Sequence, residues 1–159
     1  MLRCAIYNLT IAISLDRPTA VPVAERRARS DTYSVKFQPD SLEGVNTIAR
    51  HDGASVWVGN QPYTGSVIVP WTGPVQPWAR VDFSALTRAH FDELLQLQPE
   101  LVIFGSGSKL RFPAPALLSG LIARRVGVES MDSAAACRTY NVLVSERRTV
   151  VAALLLEAT

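Results

Sequence analysis

Cysteine, histidine and long apolar runs are scarce in this chain of 159 residues. Its two cysteines, Cys4 and Cys137, and its two histidines, His51 and His90, show no CxxC or other metal-ligand spacing. Disulfide frameworks and structural zinc sites need more of these residues, at closer spacing. The sequence therefore predicts no metal, and it predicts that Cys137 is a small buried thiol in a reducing compartment.

No run approaches the roughly 20 apolar residues that a membrane-spanning helix needs. The apolar stretch over residues 4–15 is interrupted by Asn8, Thr10 and Ser14. It follows Arg3, as in a targeting peptide, but no small-residue cleavage site is evident. We expect no transmembrane segment, and two alternatives stay open for residues 1–30: a targeting segment or an upstream extension.

Excess positive charge is confined to the N-terminal residues. Residues 1–30 contain five arginines and two acidic residues, a net charge of +3, so the rest of the chain carries −1 of the total of +2. Nucleic-acid-binding proteins cluster Lys and Arg on one face of the fold, so we expect no nucleic-acid partner. We predict that residues 1–32 form a disordered or loosely attached leader and that residues 33–159 form a single α/β domain.

Short β-favouring runs occupy the first half of the predicted domain. Residues 45–50 and 54–58 flank His51, Asp52 and Gly53, and an Asp-Gly pair is typical of a hairpin turn. After a second turn at 59–62, residues 63–69 are predicted to form one strand that Pro70 ends. The proline-rich stretch 71–78 is predicted to be an ordered loop whose two tryptophans pack on the sheet.

Helices and strands alternate in the second half. Apolar spacing predicts a helix over 88–97 capped by Thr87, and four consecutive apolar residues at 101–104 predict a central strand covered on both faces. A second helix is predicted from Pro115 to the arginines before Gly127. Its buried stripe is predicted to comprise Leu117, Leu118, Leu121 and Ile122.

The C-terminal residues complete this alternation. Residues 128–131 are predicted to form a strand, and Asp132 is predicted to cap a helix with Ala136, Tyr140, Leu143 and Val144 at helical spacing. Residues 149–156 fit helix or strand by pattern, and their β-branched residues favour a strand. From residue 101 onward this order predicts right-handed βαβ units, joined to an antiparallel N-terminal portion.

Gly105, Ser106 and Gly107 follow the predicted central strand. Open α/β sheets bind ligands at the carboxyl ends of their strands, and glycines let backbone N–H groups approach an anion. Leu110 replaces the third glycine of a dinucleotide fingerprint, and no P-loop lysine follows, so no cofactor is predicted. Ser106 does not stand in a nucleophile elbow, so no catalytic residue is predicted. A tight structural turn is the alternative to a pocket wall.

The C-terminal helix adds two further candidates for binding. Arg138 lies off the apolar stripe, Tyr140 lies on it, and Asn141 lies at its edge. For Arg138 and Asn141 two roles stay open: bracing the loop at residues 105–107, or binding a ligand or partner. The candidate binding residues are Gly105, Ser106, Gly107, Arg138 and Asn141.

Several segments of the chain match a family pattern. The longest is Met131-Asp132-Ser133-Ala134-Ala135-Ala136-Cys137-Arg138-Thr139-Tyr140-Asn141-Val142-Leu143; shorter ones are Phe37, Pro39 and Leu42, Gly65-Ser66-Val67, and Gly105-Ser106-Gly107. Over roughly residues 35–156 the sequence resembles the domain-of-unknown-function family that includes a mitochondrial complex I assembly factor. Ser106 and Ser133 stand where the family pattern has Thr, and both keep a hydroxyl.

The resemblance implies a three-layer α/β domain with a mixed central sheet, partly wrapped by additional β-structure. It also implies a non-enzymatic accessory protein that binds a protein partner, in the assembly of a respiratory or other membrane-associated complex. Such a protein would be cytoplasmic in a bacterium and in the mitochondrial matrix in a eukaryote.

The residues themselves leave an alternative function: a small-molecule (anion) binding protein, or an enzyme of unknown reaction, with a pocket near residues 105–107. A deep cavity lined by Ser106, Arg138 and Asn141 would favour that alternative. An exposed apolar patch would favour a protein partner.

Overall fold

The computed structural model describes residues 44–79 and 81–156, so the predicted leader and the matches at Phe37, Pro39 and Leu42 lie outside the described residues. A three-stranded antiparallel sheet contains, in order, β1 (Ile48–His51), β2 (Ser55–Val58) and β3 (Gln61–Thr64). A mixed five-stranded sheet contains, from edge to edge, β5 (Gln76–Pro77), β4 (Val67–Pro70), β8 (Val150–Leu154), β6 (Leu101–Gly105) and β7 (Gly127–Met131).

Three helical segments pack on these sheets. The first is α1 (Arg88–Asp92), which continues into a 3₁₀ helix at Glu93–Leu97. The second begins as a 3₁₀ helix at Pro115–Leu118 and continues as α2 (Ser119–Ala123). The third, α3 (Ser133–Ser145), is the longest. A short 3₁₀ helix at Phe83–Ala85 precedes α1. None of the helices in the described ranges is long and apolar enough to span a bilayer.

The predicted first hairpin is confirmed. β1 and β2 pair antiparallel, and the Asp52 carboxylate accepts the N–H of Ser55 at 2.8 Å across the turn. Gly53 there has a φ of 94°, a conformation that L side chains rarely adopt. A β-bulge between Ile48 and Arg50 shifts the register, so His51 pairs with Val56.

The prediction of one strand over 63–69 is wrong, because these residues belong to two strands in different sheets. Tyr63 in β3 pairs with Val56, whereas Val67 in β4 pairs with Leu154. Gly65 between them has a φ of 75°, which turns the chain out of the small sheet and into the large one. The apolar run at residues 67–69 identified β4, whereas β3 begins at Gln61, inside the turn predicted at residues 59–62, so that prediction is also corrected.

The central-strand prediction for residues 101–104 is confirmed. β6 lies between β7 and β8 and is parallel to both. Val102, Ile103 and Phe104 are fully buried. Ile103 packs in a core with α3 and the small sheet, whereas Val102 and Phe104 pack in a second core with α1 and α2. The domain therefore has the predicted three layers, with the large sheet in the middle.

The two crossovers lie on opposite faces of the large sheet. The connection from β6 to β7 runs through α2, and the connection from β7 to β8 runs through α3. These crossovers advance in opposite directions along the sheet, so placing them on opposite faces gives both the same hand. The predicted closing strand is confirmed as β8, which is buried in the middle of the sheet.

The helix predictions are confirmed at α1 and α3 and corrected at α2. Thr87 precedes α1, and Asp132 caps α3 by accepting the N–H of Ala135 at 2.8 Å. In the second helical segment Leu121 is buried, but Ile122 is 58% exposed. Its first turn is 3₁₀, with three residues per turn, so a stripe at α-helical spacing does not stay on one face. Arg125, with a φ of 59°, follows the helix end, and Gly127 begins β7.

The predicted loop at residues 71–78 is corrected in part, because Gln76–Pro77 form β5, and its two indoles lie in different cores. Trp78 is 2% exposed, contacts Phe91 and Phe104 edge to face, and donates its indole N–H to the His90 carbonyl at 2.9 Å. Trp71 is half-buried against the core on the α3 face. The loop therefore contributes to both sides of the sheet.

Candidate functional site

Ser106 organises the loop that follows β6. Its side chain is fully buried, and its hydroxyl oxygen lies 2.8 Å from the Lys109 carbonyl and 2.9 Å from the Met131 carbonyl. The same oxygen accepts the N–H of Arg111 at 2.9 Å. Because Lys109 and Arg111 lie in the loop and Met131 ends β7, the hydroxyl joins the loop to the end of β7.

Gly105 and Gly107 are explained by packing against α3 and the chain after β8. A Cβ on Gly105 would lie 2.8 Å from Leu154 Cδ2 and 2.9 Å from Ser133 Oγ. Gly107 donates its N–H to Ser133 Oγ at 3.0 Å, and that hydroxyl donates to the Leu155 carbonyl at 2.7 Å. Ser106 and Ser133 both make hydrogen bonds through their hydroxyls. The Thr of the family pattern also has a hydroxyl.

A recess of about 210 Å³ lies elsewhere, between β1 and the first half of α3. The α3 residues that line it are spaced at i, i+3, i+4 and i+7, so they form one stripe along the helix. The lining comprises Ile48, Ala49, Arg50, His51, Ala134, Cys137, Arg138 and Asn141. The structure thus brings Arg138 and Asn141 together, but Gly105, Ser106 and Gly107 do not line this recess.

Asn141 braces β1 rather than the loop at residues 105–107, which corrects one of the two alternatives for this residue. Its amide nitrogen donates to the Ile48 carbonyl at 2.7 Å, and its amide oxygen accepts the Ile48 N–H at 2.8 Å. Among the described strands, β1 lies at the edge of the small sheet, and an edge strand leaves backbone groups without a neighbouring strand. The Asn141 side chain supplies both missing partners at Ile48.

Tyr140 ties α3 to β4. It is fully buried, and its hydroxyl donates to the Pro70 carbonyl at 2.8 Å. Burial raises its pKa above the usual value of 10.0, so the phenol stays neutral over the physiological range. The neighbouring residues on α3 therefore stand on a helix whose position is fixed.

Arg138 is exposed, and no described residue makes a hydrogen bond or salt bridge with its guanidinium. The other arginine of the recess is engaged, because the Arg50 guanidinium stacks 4.4 Å from the centre of the Trp57 ring and lies 3.8 Å from an Asp52 carboxylate oxygen. Arg138 is therefore the cationic group that this recess offers to another molecule.

His51 also lines the recess, a position that sequence analysis missed. Its cross-strand partner Val56 is buried, so His51 lies on the inner face of the hairpin. Its Nε2 is buried and has no partner among the residues that the structure describes. Burial lowers its pKa from 6.5, although Asp52 and Asp132 oppose that change. The hairpin register is the sequence signal that could have located this side chain.

Cys137 forms part of the recess lining, and burial disfavours its thiolate form. It is 6% exposed, as predicted for a buried thiol. Burial raises the pKa of the thiol to about 11, although the nearby Arg138 partly opposes the change. A thiol with such a pKa remains protonated at neutral pH. Within the described ranges, there is no group of three or more His, Cys, Asp or Glu residues that could hold a metal ion.

The match to a family model spans most of this fold. A family described as a protein of unknown function (DUF498/DUF598) matches residues 48–155, from the first residue of β1 to just beyond β8. The chain belongs to this family. The resemblance noted in the sequence is therefore confirmed.

Named relatives agree with this assignment. The chain is 37% identical to NADH dehydrogenase (ubiquinone) 1 alpha subcomplex assembly factor 3 from Danio rerio, over 87% of this chain and 72% of that protein. It is 33% identical to the 13 kDa major membrane protein of Francisella tularensis over 43% of this chain. The match spans 56% of the Francisella protein, little more than half of its length.

A solved structure shows the same fold. A crystal structure of a protein from Bordetella parapertussis superposes with a TM-score of 0.68 and 31% sequence identity. The superposition covers 72% of this chain and 98% of that one. Nearly the whole of the Bordetella protein thus corresponds to the domain described above.

Proposed function

We propose that this chain is a non-enzymatic accessory protein that binds a protein partner during assembly of a respiratory or other membrane-associated complex. The Danio rerio relative, named as a complex I assembly factor, supports an assembly role over most of the chain. We propose further that the protein acts in the cytoplasm of a bacterium or in the mitochondrial matrix of a eukaryote.

The observation that carries partner binding is the exposed guanidinium of Arg138 beside the recess, which makes no hydrogen bond or salt bridge with any residue that the structure describes. Pockets for metabolites usually enclose about 300–1,000 Å³. The recess encloses about 210 Å³, which suits one side chain of a partner better than a whole metabolite. A guanidinium can bind a partner carboxylate through two parallel hydrogen bonds, and arginine is among the residues that contribute most to protein interfaces.

No specific observation in the described residues favours a small-molecule site near residues 105–107. Gly105, Ser106 and Gly107 are buried, and their polar groups bond to other parts of the domain. Opening a cavity there would break the contacts that join β6, β7 and α3.

Replacing Arg138 with Ala tests the proposed function. The full chain would be purified from its native organism with its partners, which mass spectrometry would identify. Because Arg138 makes no bond within the described residues, Arg138→Ala should change the free energy of unfolding by less than about 1 kcal/mol. We expect this variant to lose proteins of a membrane-associated complex that the wild type retains.

Arg124→Ala is the matched control, because Arg124 is also exposed but follows α2 on the opposite face of the sheet. It should keep the same partners as the wild type. Retention of those partners by Arg138→Ala would contradict the proposed function. Unfolding of Arg138→Ala would also contradict it, since the side chain would then be a structural brace.

A further inference from the structure

The recess between β1 and α3 is fixed by hydrogen bonds at one end and not at the other. Within the described residues, the hydrogen bonds that join β1 to α3 are the two between Ile48 and Asn141. His51 ends β1 three residues later, close enough to Asp132 at the start of α3 for that carboxylate to influence its pKa. β1 therefore runs back along α3, and the recess lies between the Asn141 end and the His51 end.

Packing alone holds His51 at its end of the recess. The side chain is half-buried, and its Nε2 is buried without a partner among the described residues. From α3, the small side chains of Ala134 and Cys137 line the recess before Arg138. A neutral imidazole tolerates this position, because it carries no net charge and leaves only one hydrogen bond unmade.

A protonated imidazole does not suit the same position. Both ring nitrogens then carry a proton, so Nε2 becomes a charged donor that faces no described acceptor. Burial of a charge without a partner is costly, and a side chain that can move avoids this cost by turning into water.

The surrounding charges do not offset this cost. The titratable or charged side chains around His51 are those of Arg50, Asp52, Tyr63, Asp132, Cys137 and Arg138. Neither carboxylate makes a salt bridge with His51 in the described structure. Asp52 accepts the N–H of Ser55, and Asp132 accepts the N–H of Ala135. Arg50 and Arg138 repel an imidazolium.

We propose that His51 is a pH-sensitive latch on this recess. Neutral His51 keeps the end of β1 against α3, whereas protonated His51 turns into water, so that the end of β1 separates from α3 and the recess widens. The Asn141 end stays in place, because its amide does not titrate. The β-bulge between Ile48 and Arg50 gives β1 a bend between the fixed part and the part that is released. This latch goes beyond the proposed function, since it operates whether or not a partner is bound.

The direction of the pH dependence follows from burial. Burial lowers the pKa of His51 below 6.5 while the recess is narrow, so widening of the recess takes up a proton. The recess is therefore narrow above pH 6.5. It widens as the pH falls from 6.5 through the lowered pKa of the buried imidazole.

Cys137 reports this opening, because it lines the recess and is only 6% exposed. In the full chain with Cys4→Ser, the rate at which dithiodipyridine labels Cys137 would be measured between about pH 8 and pH 5. Thiol labelling itself slows in acid as the thiolate is lost, so each rate is divided by the rate for His51→Gln in the same background. We expect this ratio to rise by about threefold or more over the range, since each pKa unit between the two states changes the equilibrium by up to about tenfold.

His90→Gln is the matched control, because His90 is the other histidine of the chain and lies on α1, on the opposite face of the large sheet. It should give the same pH profile as the protein with His90. Urea below the unfolding transition separates the latch from global unfolding, since a local opening exposes little surface and depends little on urea.

A ratio that stays constant with pH would overturn the proposal. Acid labelling that rises with urea as steeply as global unfolding would also overturn it. The labelling needs no partner, so a negative result would leave the Arg138→Ala test of the proposed function intact. Retention of partners by Arg138→Ala would likewise leave the latch intact.

Discussion

At the scale of single residues, Asn141 and His51 show how α3 secures the edge of the small sheet. Asn141 bonds both backbone groups of Ile48, as a neighbouring strand would. His51, three residues further along β1, lies inside the same recess with its Nε2 unpartnered among the described atoms. In the described part of the recess, Asn141 therefore has hydrogen-bond partners on both amide atoms and His51 Nε2 has none, and each has its own consequence for stability.

We predict that Asn141→Ala lowers the free energy of unfolding by about 1–3 kcal/mol, since it leaves the N–H and carbonyl of Ile48 without their partners. Urea denaturation monitored by circular dichroism would measure the change. Arg138→Ala, three positions earlier on α3, is the control and should have little effect. An Asn141→Ala variant as stable as the control would show that water replaces the amide without cost.

We predict that His51 makes the domain less stable as the pH falls below neutral. Because burial lowers its pKa in the folded protein below 6.5, the unfolded chain binds the proton more readily. The stability that neutral His51 contributes is therefore fully present above pH 6.5. It is lost as the pH falls from 6.5 through the lowered pKa of His51 in the folded protein. The measurement is the free energy of unfolding of wild type and His51→Gln between about pH 8 and pH 5. The difference between the two should change with pH in this window, and two parallel curves would contradict the prediction.

At the scale of elements, the longest helix was predicted most accurately. α3 has 13 residues, an Asp132 cap and three turns of apolar spacing, and its predicted stripe is the one that packs on the sheet. The predicted helix from Pro115 contains only five α-helical residues after a 3₁₀ turn. Because this first turn has three residues per turn, a stripe at α-helical spacing does not stay on one face, so Ile122 was assigned to the wrong face.

We predict that Val102→Asp and Ile103→Asp each lower the free energy of unfolding by about 4 kcal/mol or more. Each places an unpaired charge in a core, on opposite faces of β6. Ile122→Asp is the control and should change stability by less than about 0.5 kcal/mol, because Ile122 is exposed. Soluble, near-natively stable protein from either β6 variant would refute the central-strand assignment.

At the scale of the whole molecule, two cores share one sheet. The core on the α3 face includes the small sheet, and the core on the other face includes the aromatic contacts of Trp78, Phe91 and Phe104. Within the part of the chain that the structure describes, the members of these cores come from both halves of the domain. Burial of apolar surface is the main favourable contribution to folding, so both described cores stabilise the domain.

We predict that deleting residues 1–32 leaves the melting temperature nearly unchanged. These residues lack a sustained apolar period and carry the excess positive charge of the chain. Differential scanning calorimetry of the full and shortened chains would measure the change. A decrease of more than about 5 °C, which corresponds to over about 1 kcal/mol for a domain of this size, would show that the leader contributes to the fold.

The sequence by itself determined the fold class and the order of elements from α1 onward, but it merged β3 with β4 and missed β5. Local physics accounts for this: a run of apolar residues must be buried, Asp132 can cap only the helix that follows it, and an Asp-Gly pair favours a tight turn. The family also followed from local residues, since its longest matching segment is one cap and one helix.

Only the tertiary structure decided what the candidate site residues do. Asn141 and Ile48 are 93 positions apart, and Ser133 contacts Gly107 from 26 positions away. The partner of a polar side chain depends on which strand the fold brings next to it, and no local pattern contains that information. The glycines after β6 could equally have formed a pocket or a packed junction by sequence, and the close approach of α3 and Leu154 made them a junction.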